Sequence, residues 1–205
     1  TEQTEDDLRG STCKNDLECI LNDENIGIEA KKYNSPDWMQ CSLKCISGKW
    51  KGSENGKIPN QSRKVFNNLL NNVILFNGKI PPFVNTKYTH NEWVSIKQKT
   101  SDWDDQYIDI PKNTIKDIYR AKGCYYIQIS NYGLYHLGND IYKFGVPEFN
   151  IEQQFRIRTK IHSKKNKSGY CSISVFAACK PKNIKYLEKS NYSLDNIEQL
   201  PKSLT

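Results

Sequence analysis

The sequence predicts a mixed α+β domain of the α/β class, and two patterns along the chain predict it. Short apolar-rich runs of strand type gather at residues 17–31 and again beyond Gly123, while helix-type spacing fills much of the interval between them. The chain has 205 residues, enough to bury one substantial core. Twelve Tyr, seven Phe and four Trp give that core large apolar surface without calling on disulfides. We expect one domain over residues 1–182 and a peripheral tail over 183–205.

Taken in order, residues 1–9 are acidic with few breakers and read as a helix, ended by Gly10 and Ser11. Leu17–Leu21 and Ile26–Lys31 read as two strands joined through the turn-prone Asn22-Asp23-Glu24-Asn25, which makes a β-hairpin. Ser35-Pro36-Asp37 is a helix start, with Ser35 as N-cap and Pro36 in the first turn, and predicts a helix to about Ile46. Gly48–Pro59 is a loop, and Val65, Phe66, Leu69, Leu70 and Val73 predict a helix over 62–75. Pro81-Pro82 marks a turn, Trp93–Ile96 has strand composition, and Pro111–Ala121 suggests a short helix. Strands follow at Cys124–Ser130, Gly133–Leu137, Phe155–His162 and Tyr170–Ala178.

The net charge of +7 is unevenly placed. Residues 1–25 hold eight acids against Arg9 and Lys14, while 156–189 hold ten Lys and Arg against Glu188. An acidic focus and a basic stretch in one domain suit a site that gathers cations beside a polyanion. Nothing approaches the roughly 18 apolar residues of a membrane span, and the acidic start is unlike a signal peptide. Seven cysteines, an odd number without a close-set CxxC pair, favour a reducing compartment over a zinc ribbon or a disulfide framework. These features predict a soluble, intracellular (cytoplasmic) protein with no membrane partner.

Alternate strand residues share a face, so Asp16 and Glu18 lie together, as do Glu29 and Lys31 on the partner strand. The hairpin brings the pairs side by side. Asp16, Glu29 and the Ala30 carbonyl then offer hard oxygen ligands to a divalent cation, and Lys31 stands close enough to orient or help deprotonate an attacking water. All-oxygen donors select Mg²⁺ or Mn²⁺ rather than zinc.

The runs Asn15-Asp16-Leu17-Glu18-Cys19-Ile20-Leu21 and Gly27-Ile28-Glu29-Ala30-Lys31 resemble the catalytic hairpin of the PD-(D/E)xK nuclease superfamily, which includes many type II restriction enzymes. Asn15 replaces the motif's proline. The resemblance implies a restriction-endonuclease-like core, a central mixed sheet flanked by helices, with Asp16, Glu29 and Lys31 catalytic. In many members a preceding helix adds an acid and a following helix a glutamine, places that Glu5 and Gln40 match by order. It implies a Mg²⁺-dependent endonuclease on duplex DNA, with a homodimer as the arrangement that cuts both strands.

Arg156, Arg158 and Lys160 alternate and so project from one strand face, where like charges repel unless an anion neutralises them. Lys164, Lys165 and Lys167 form an adjoining basic turn, and the six are the expected nucleic-acid contacts. An RNA endonuclease with the same hairpin, or a binding module without catalysis, are the alternatives. What separates enzyme from module is whether Asp16, Glu29 and Lys31 converge.

Overall fold

The computed structural model describes residues 16–21, 23–165 and 169–204. The helix expected over 1–9, with Glu5, lies outside them, as does Lys167. Within them the chain is mixed α+β, with two sheets and three α-helices in place of one central sheet.

The first sheet begins with the expected hairpin, β1 (Leu17–Leu21) and β2 (Glu24–Lys31). Leu21 faces Glu24 across the ladder, so the loop is shorter than the tetrapeptide the sequence suggests. Asp23 at its centre takes φ 63°, the left-handed conformation that two-residue hairpins require. Helix α3 (Thr114–Arg120) leads into β6 (Cys124–Ile129), which runs parallel to β2, and β7 (Gly133–His136) returns antiparallel on the far side. The spatial order is β1-β2-β6-β7.

Residues between β2 and α3 supply three of the five strands of the second sheet. They contribute β3 (Met39–Ile46), β4 (Lys49–Gly52) and β5 (Gln106–Ile110), together with helices α1 (Asn60–Leu70) and α2 (His90–Lys99). Later come β8 (Gln153–Lys165) and β9 (Cys171–Pro181), and the order is β4-β3-β9-β8-β5, antiparallel throughout.

The structure corrects several expectations. The segment read as a helix from Ser35 to Ile46 is strand β3: Met39, Cys41 and Leu43 are buried while Gln40 is exposed and Ser42 and Lys44 are partly so, a period of two. A local start signal is worth about 1 kcal/mol, less than burying one whole face of an eight-residue strand. Trp93–Ile96, read as a strand, lies in α2. Thr89 and Glu92 close a reciprocal capping box at its start, and only Trp93 of the helix is buried, edge-on to Phe83 at 5.1 Å. Strand β5 has no signal in the sequence, and α1 ends at Leu70, short of Leu75.

The main core lies between the sheets and the helices. Phe66 of α1 stacks on Phe155 of β8 at 5.5 Å, and Ile115, Ile118 and Tyr119 of α3 pack with Ile127 and Ile129 of β6. Ile26, Ile28, Tyr126 and Leu134, on the first sheet's other face, are covered by Phe144, Val146, Tyr192 and Leu194. The second sheet buries Cys41, Phe155, Val175 and Ala177 on its core face. Its other face carries Gln40 and Ser42, opposite Ala178 and Phe176, which in turn oppose Arg156 and Arg158, with Ser174 opposite Lys160. Among the described residues no helix is long and apolar enough to cross a membrane.

Residues 183–204, expected at the periphery, run along the edge of β7. Leu134 donates its N–H to the Tyr192 carbonyl at 2.7 Å, Gln128 donates to Ser193 and Asp195 at 3.0 Å, and Tyr135 donates to the Glu188 carbonyl at 2.6 Å. Gly133 makes the close approach possible: its φ is +102°, and a Cβ there would stand 2.9 Å from Cβ of Ser190. Gly133→Ala is therefore expected to lower stability by about 1–3 kcal/mol. An unchanged denaturation midpoint would mean this segment is not seated on β7.

Candidate active site

Asp16 stands one residue before β1, where the register that pairs Leu17 with Ile28 sets it across from Glu29. The Ala30 N–H donates to Asp16 Oδ2 at 3.0 Å, and Lys31 Nζ lies 3.3 Å from the same oxygen. Glu29 and Lys31 alternate with Ile28 and Ala30, so they point to the main-core side, level with Ile127 and Ile129 of the parallel neighbour β6. Glu29 is only 2% exposed. Its Oε1 is paired with Lys31, and its Oε2 lies 2.5 Å from Nζ of Lys122, whose side chain is 4% exposed.

Lys122 is the residue that sequence reasoning missed. It lies in the short link from α3 to β6, and the parallel pairing of β6 with β2 carries it to Glu29. No spacing within the chain announces this. The indirect signal is a helix running straight into a strand beside the one that bears the acid. Tyr119, fully buried, packs under both ammonium groups, with Lys31 5.5 Å and Lys122 5.3 Å from its ring centre. Its hydroxyl donates to the Trp38 carbonyl at 3.0 Å, tying α3 to the chain entering β3.

Two carboxylates and two ammonium groups leave the cluster formally neutral. Burial works against the Asp16 carboxylate, but the Lys31 charge, the Ala30 N–H and the Lys122 charge outweigh it and hold its pKa below the ordinary value. Burial likewise works against the Lys31 cation, yet Glu29 and Asp16 raise its pKa above that of a free lysine, so it is charged at neutral pH. The Cys124 thiol, 3.8 Å from Glu29 Oε2, is pushed up to about 12 chiefly by burial, which leaves it no thiolate character.

These groups open onto a cleft of about 630 Å³ between the two sheets, lined by Asp16, Glu29, Lys31, Gln40, Ser42 and Lys122 among others. Gln40 thus meets the acids, although it comes from strand β3 and not from a helix. Asp16, Glu29, Lys31 and Gln40 share one cleft, and Ala30 joins them through its N–H. The donor set is compatible with a hard divalent cation: two carboxylates on adjacent strands suffice for Mg²⁺, which fills its remaining positions with water and substrate oxygens. Among the described residues no group engages Oδ1 of Asp16, whose side chain is 38% exposed, and no third acid or His joins the pair as a metal ligand.

The basic strand carries Arg156, Arg158 and Lys160 on one face, as the alternation predicts. Arg156 and Arg158 share the face of Gln40 and Ser42, but Asp37, its side chain 3% exposed, lies at 3.4 and 3.5 Å from them, and Asp105 pairs with Arg156 at 2.7 Å. The repulsion between neighbouring guanidinium groups is therefore met from within the protein. Lys160 is exposed farther along the strand. Lys164 and Lys165 close β8, and their side chains lie outside the described ones.

Compared with protein-family models, curated proteins and solved structures, the chain matches none.

Glu29→Gln would leave Lys122 buried without its counter-charge, at an expected cost of about 3–5 kcal/mol. Adding Lys122→Met should recover much of that loss, and denaturant titration of both variants checks it; equal stability of Glu29→Gln and the parent protein would dismiss the pairing.

The pH dependence of the metal-free protein has a defined sign. Asp16, with its lowered pKa, contributes stability that is present above the unfolded carboxylate value of about 3.9 and is lost as pH falls through the folded value. Lys31, with its raised pKa, contributes stability that is present below about 10.4 and is lost as pH rises through its folded value. The stability gap between the parent and Asp16→Asn should accordingly close as pH drops below 4, and a gap independent of acid pH would contradict the Lys31 and Ala30 contacts.

Proposed function

We propose that this chain is a metal-dependent nuclease that hydrolyses phosphodiester bonds in nucleic acid, with duplex DNA as its substrate. The observation that carries the reading is the meeting of Asp16, Glu29, Lys31 and Gln40 in one cleft, brought there from the start of β1, from β2 and from β3. The mixed order β1-β2-β6-β7, with α3 in the connection to a strand parallel to β2, supports a restriction-endonuclease-like core. The second sheet is then an elaboration built from β3, β4 and β5, inserted between the acid-bearing strand and that helix, and from β8 and β9, which follow β7.

Asp16 and Glu29 would hold Mg²⁺ or Mn²⁺, which when bound supplies charge stabilisation to the phosphate under attack. The protein's own groups do the positioning. Lys31, charged and fixed between Asp16 and Glu29, orients a water and offsets negative charge growing on the phosphate. Gln40 and Ser42 give the cleft floor neutral donors that bind phosphate oxygens without adding charge. Lys122 supplies the buried counter-charge to Glu29, a role that a bound cation would share. Lys160, and Lys164, Lys165 and Lys167 beyond it, attract the polyanion, whereas Arg156 and Arg158 are steadied by Asp37 and Asp105 and serve as fixed donors. Cutting both strands of a duplex would call for a symmetric pair of chains.

One observation favours a second reading. Both Glu29 oxygens are already satisfied by lysines, an arrangement that also suits a structural cluster in a binding module without catalysis.

Cleavage of labelled duplex DNA, single-stranded DNA and RNA, with Mg²⁺, with Mn²⁺ and with excess chelator, separates the readings. Activity is expected on duplex DNA with either metal and none in chelator. Asp16→Asn and Lys31→Ala, folded by circular dichroism, should each lower kcat on the order of 10²-fold or more. Parent-like cutting by both variants would dismiss this site. Binding without cutting in any metal would establish the module, and preference for RNA would move the substrate to the other polymer.

A further inference from the structure

The cleft does not end at Lys122. On the far side of that side chain lies a second pocket of about 660 Å³, which shares Lys57, Ile58 and Lys122 with the first and is completed by Asn60, Gln61 and Arg120 among others. The two linings differ in charge. The first contains Asp16 and Glu29 beside its lysines, whereas the second contains Lys57, Arg120 and Lys122 and no carboxylate. Lys57 and Arg120 are exposed, and no salt bridge is formed by either among the described residues. Asn60 accepts a hydrogen bond on Oδ1 from Arg63, so its amide N–H₂ is what it can offer a ligand. Lys122, buried between the pockets, is the hinge of the arrangement: a group entering from either side meets the same ammonium.

A pocket lined by cations without acids attracts anions, and one continuous with a cleft built for a phosphodiester attracts the neighbouring phosphates of the same strand. We infer that the pocket of Lys57, Asn60, Gln61 and Arg120 is a subsite for backbone phosphates flanking the bond in the cleft, holding the strand as it leaves Lys122. This rests on the nucleic-acid reading of the cleft, but not on catalysis. Exposed lysine and arginine side chains contribute mainly backbone attraction and register, so the subsite gives affinity and salt dependence without base preference.

The test is binding in chelator, which removes cleavage from the readout. Affinity for duplex DNA is measured as a function of salt for the parent, for Lys57→Ala/Arg120→Ala, and for Lys87→Ala/Lys99→Ala, which removes two exposed cations lining neither pocket. The pocket variant should bind roughly tenfold or more weakly at low salt, and its log–log salt slope should shrink by about 1.8, at about 0.9 for each phosphate no longer neutralised. The control pair should leave the slope near the parent's. Titration of inorganic phosphate, followed by the amide signals of Asn60 and Gln61, distinguishes a free anion from a polymer. Saturation by phosphate with no effect of the pocket variant on DNA binding would overturn the subsite. Equal slopes for the two variants would also overturn it, as would absence of any DNA binding by the parent. DNA binding that depends on Lys57 and Arg120 in a protein that never cuts would sustain the subsite while the nuclease reading fell.

Discussion

Two lysines on one buried carboxylate hold the centre of this protein together. Glu29 sits on β2, Lys31 two residues on, and Lys122 in the link from α3 to β6, after strands β3, β4 and β5. A carboxylate that is 2% exposed is costly to bury unless opposite charge and hydrogen bonds meet it. Meeting it here requires β6 to lie beside β2, since only that pairing delivers Lys122. The Tyr119 ring beneath both ammonium groups adds attraction and closes the floor of the cluster against the core. Asp16 depends on the same sheet through the Ala30 N–H, so the shape of the site is set by strand register rather than by loop conformation.

The cleft exists because the two sheets are finished differently. The first is covered on both sides, by the main core and by the small cluster around Ile28 and Tyr126. The second is apolar on its core side and more polar on the other, where Gln40, Ser42 and Ser174, with Phe176, line the cleft shared with Asp16 and Glu29. Asp37 stiffens the region by holding Arg156 and Arg158 together. Fixed guanidinium groups lose less freedom on binding an anion than free ones would. Their paired carboxylates also reduce the net positive field of that strand face.

Much of the fold was legible locally. The hairpin, α3 and strands β6, β7, β8 and β9 follow from short apolar runs, alternation and turn residues. Strand β3 was hidden by Ser35-Pro36, a strong helix-start signal placed just before a run whose alternation has the opposite meaning. Helix α2 could have been found from Thr89 and Glu92, a capping pair three residues apart, had the aromatic Trp93 not suggested a strand. Strand β5 gave no such sign, because Gln106–Ile110 is short, lies at a sheet edge and is buried mainly at Ile110.

The candidate site divides the same way. The sequence by itself determined Asp16, Glu29 and Lys31 as neighbours, because a hairpin fixes cross-strand partners through a loop of a few residues and a period of two. It also determined that Arg156, Arg158 and Lys160 share a face. Tertiary structure alone decided that Lys122 neutralises Glu29, that Asp37 neutralises the arginines, and that Gln40 arrives on a strand. The reason is physical: these partners are joined through long stretches of chain, and which charge is buried against which depends on how whole sheets pack, a property that no local spacing records.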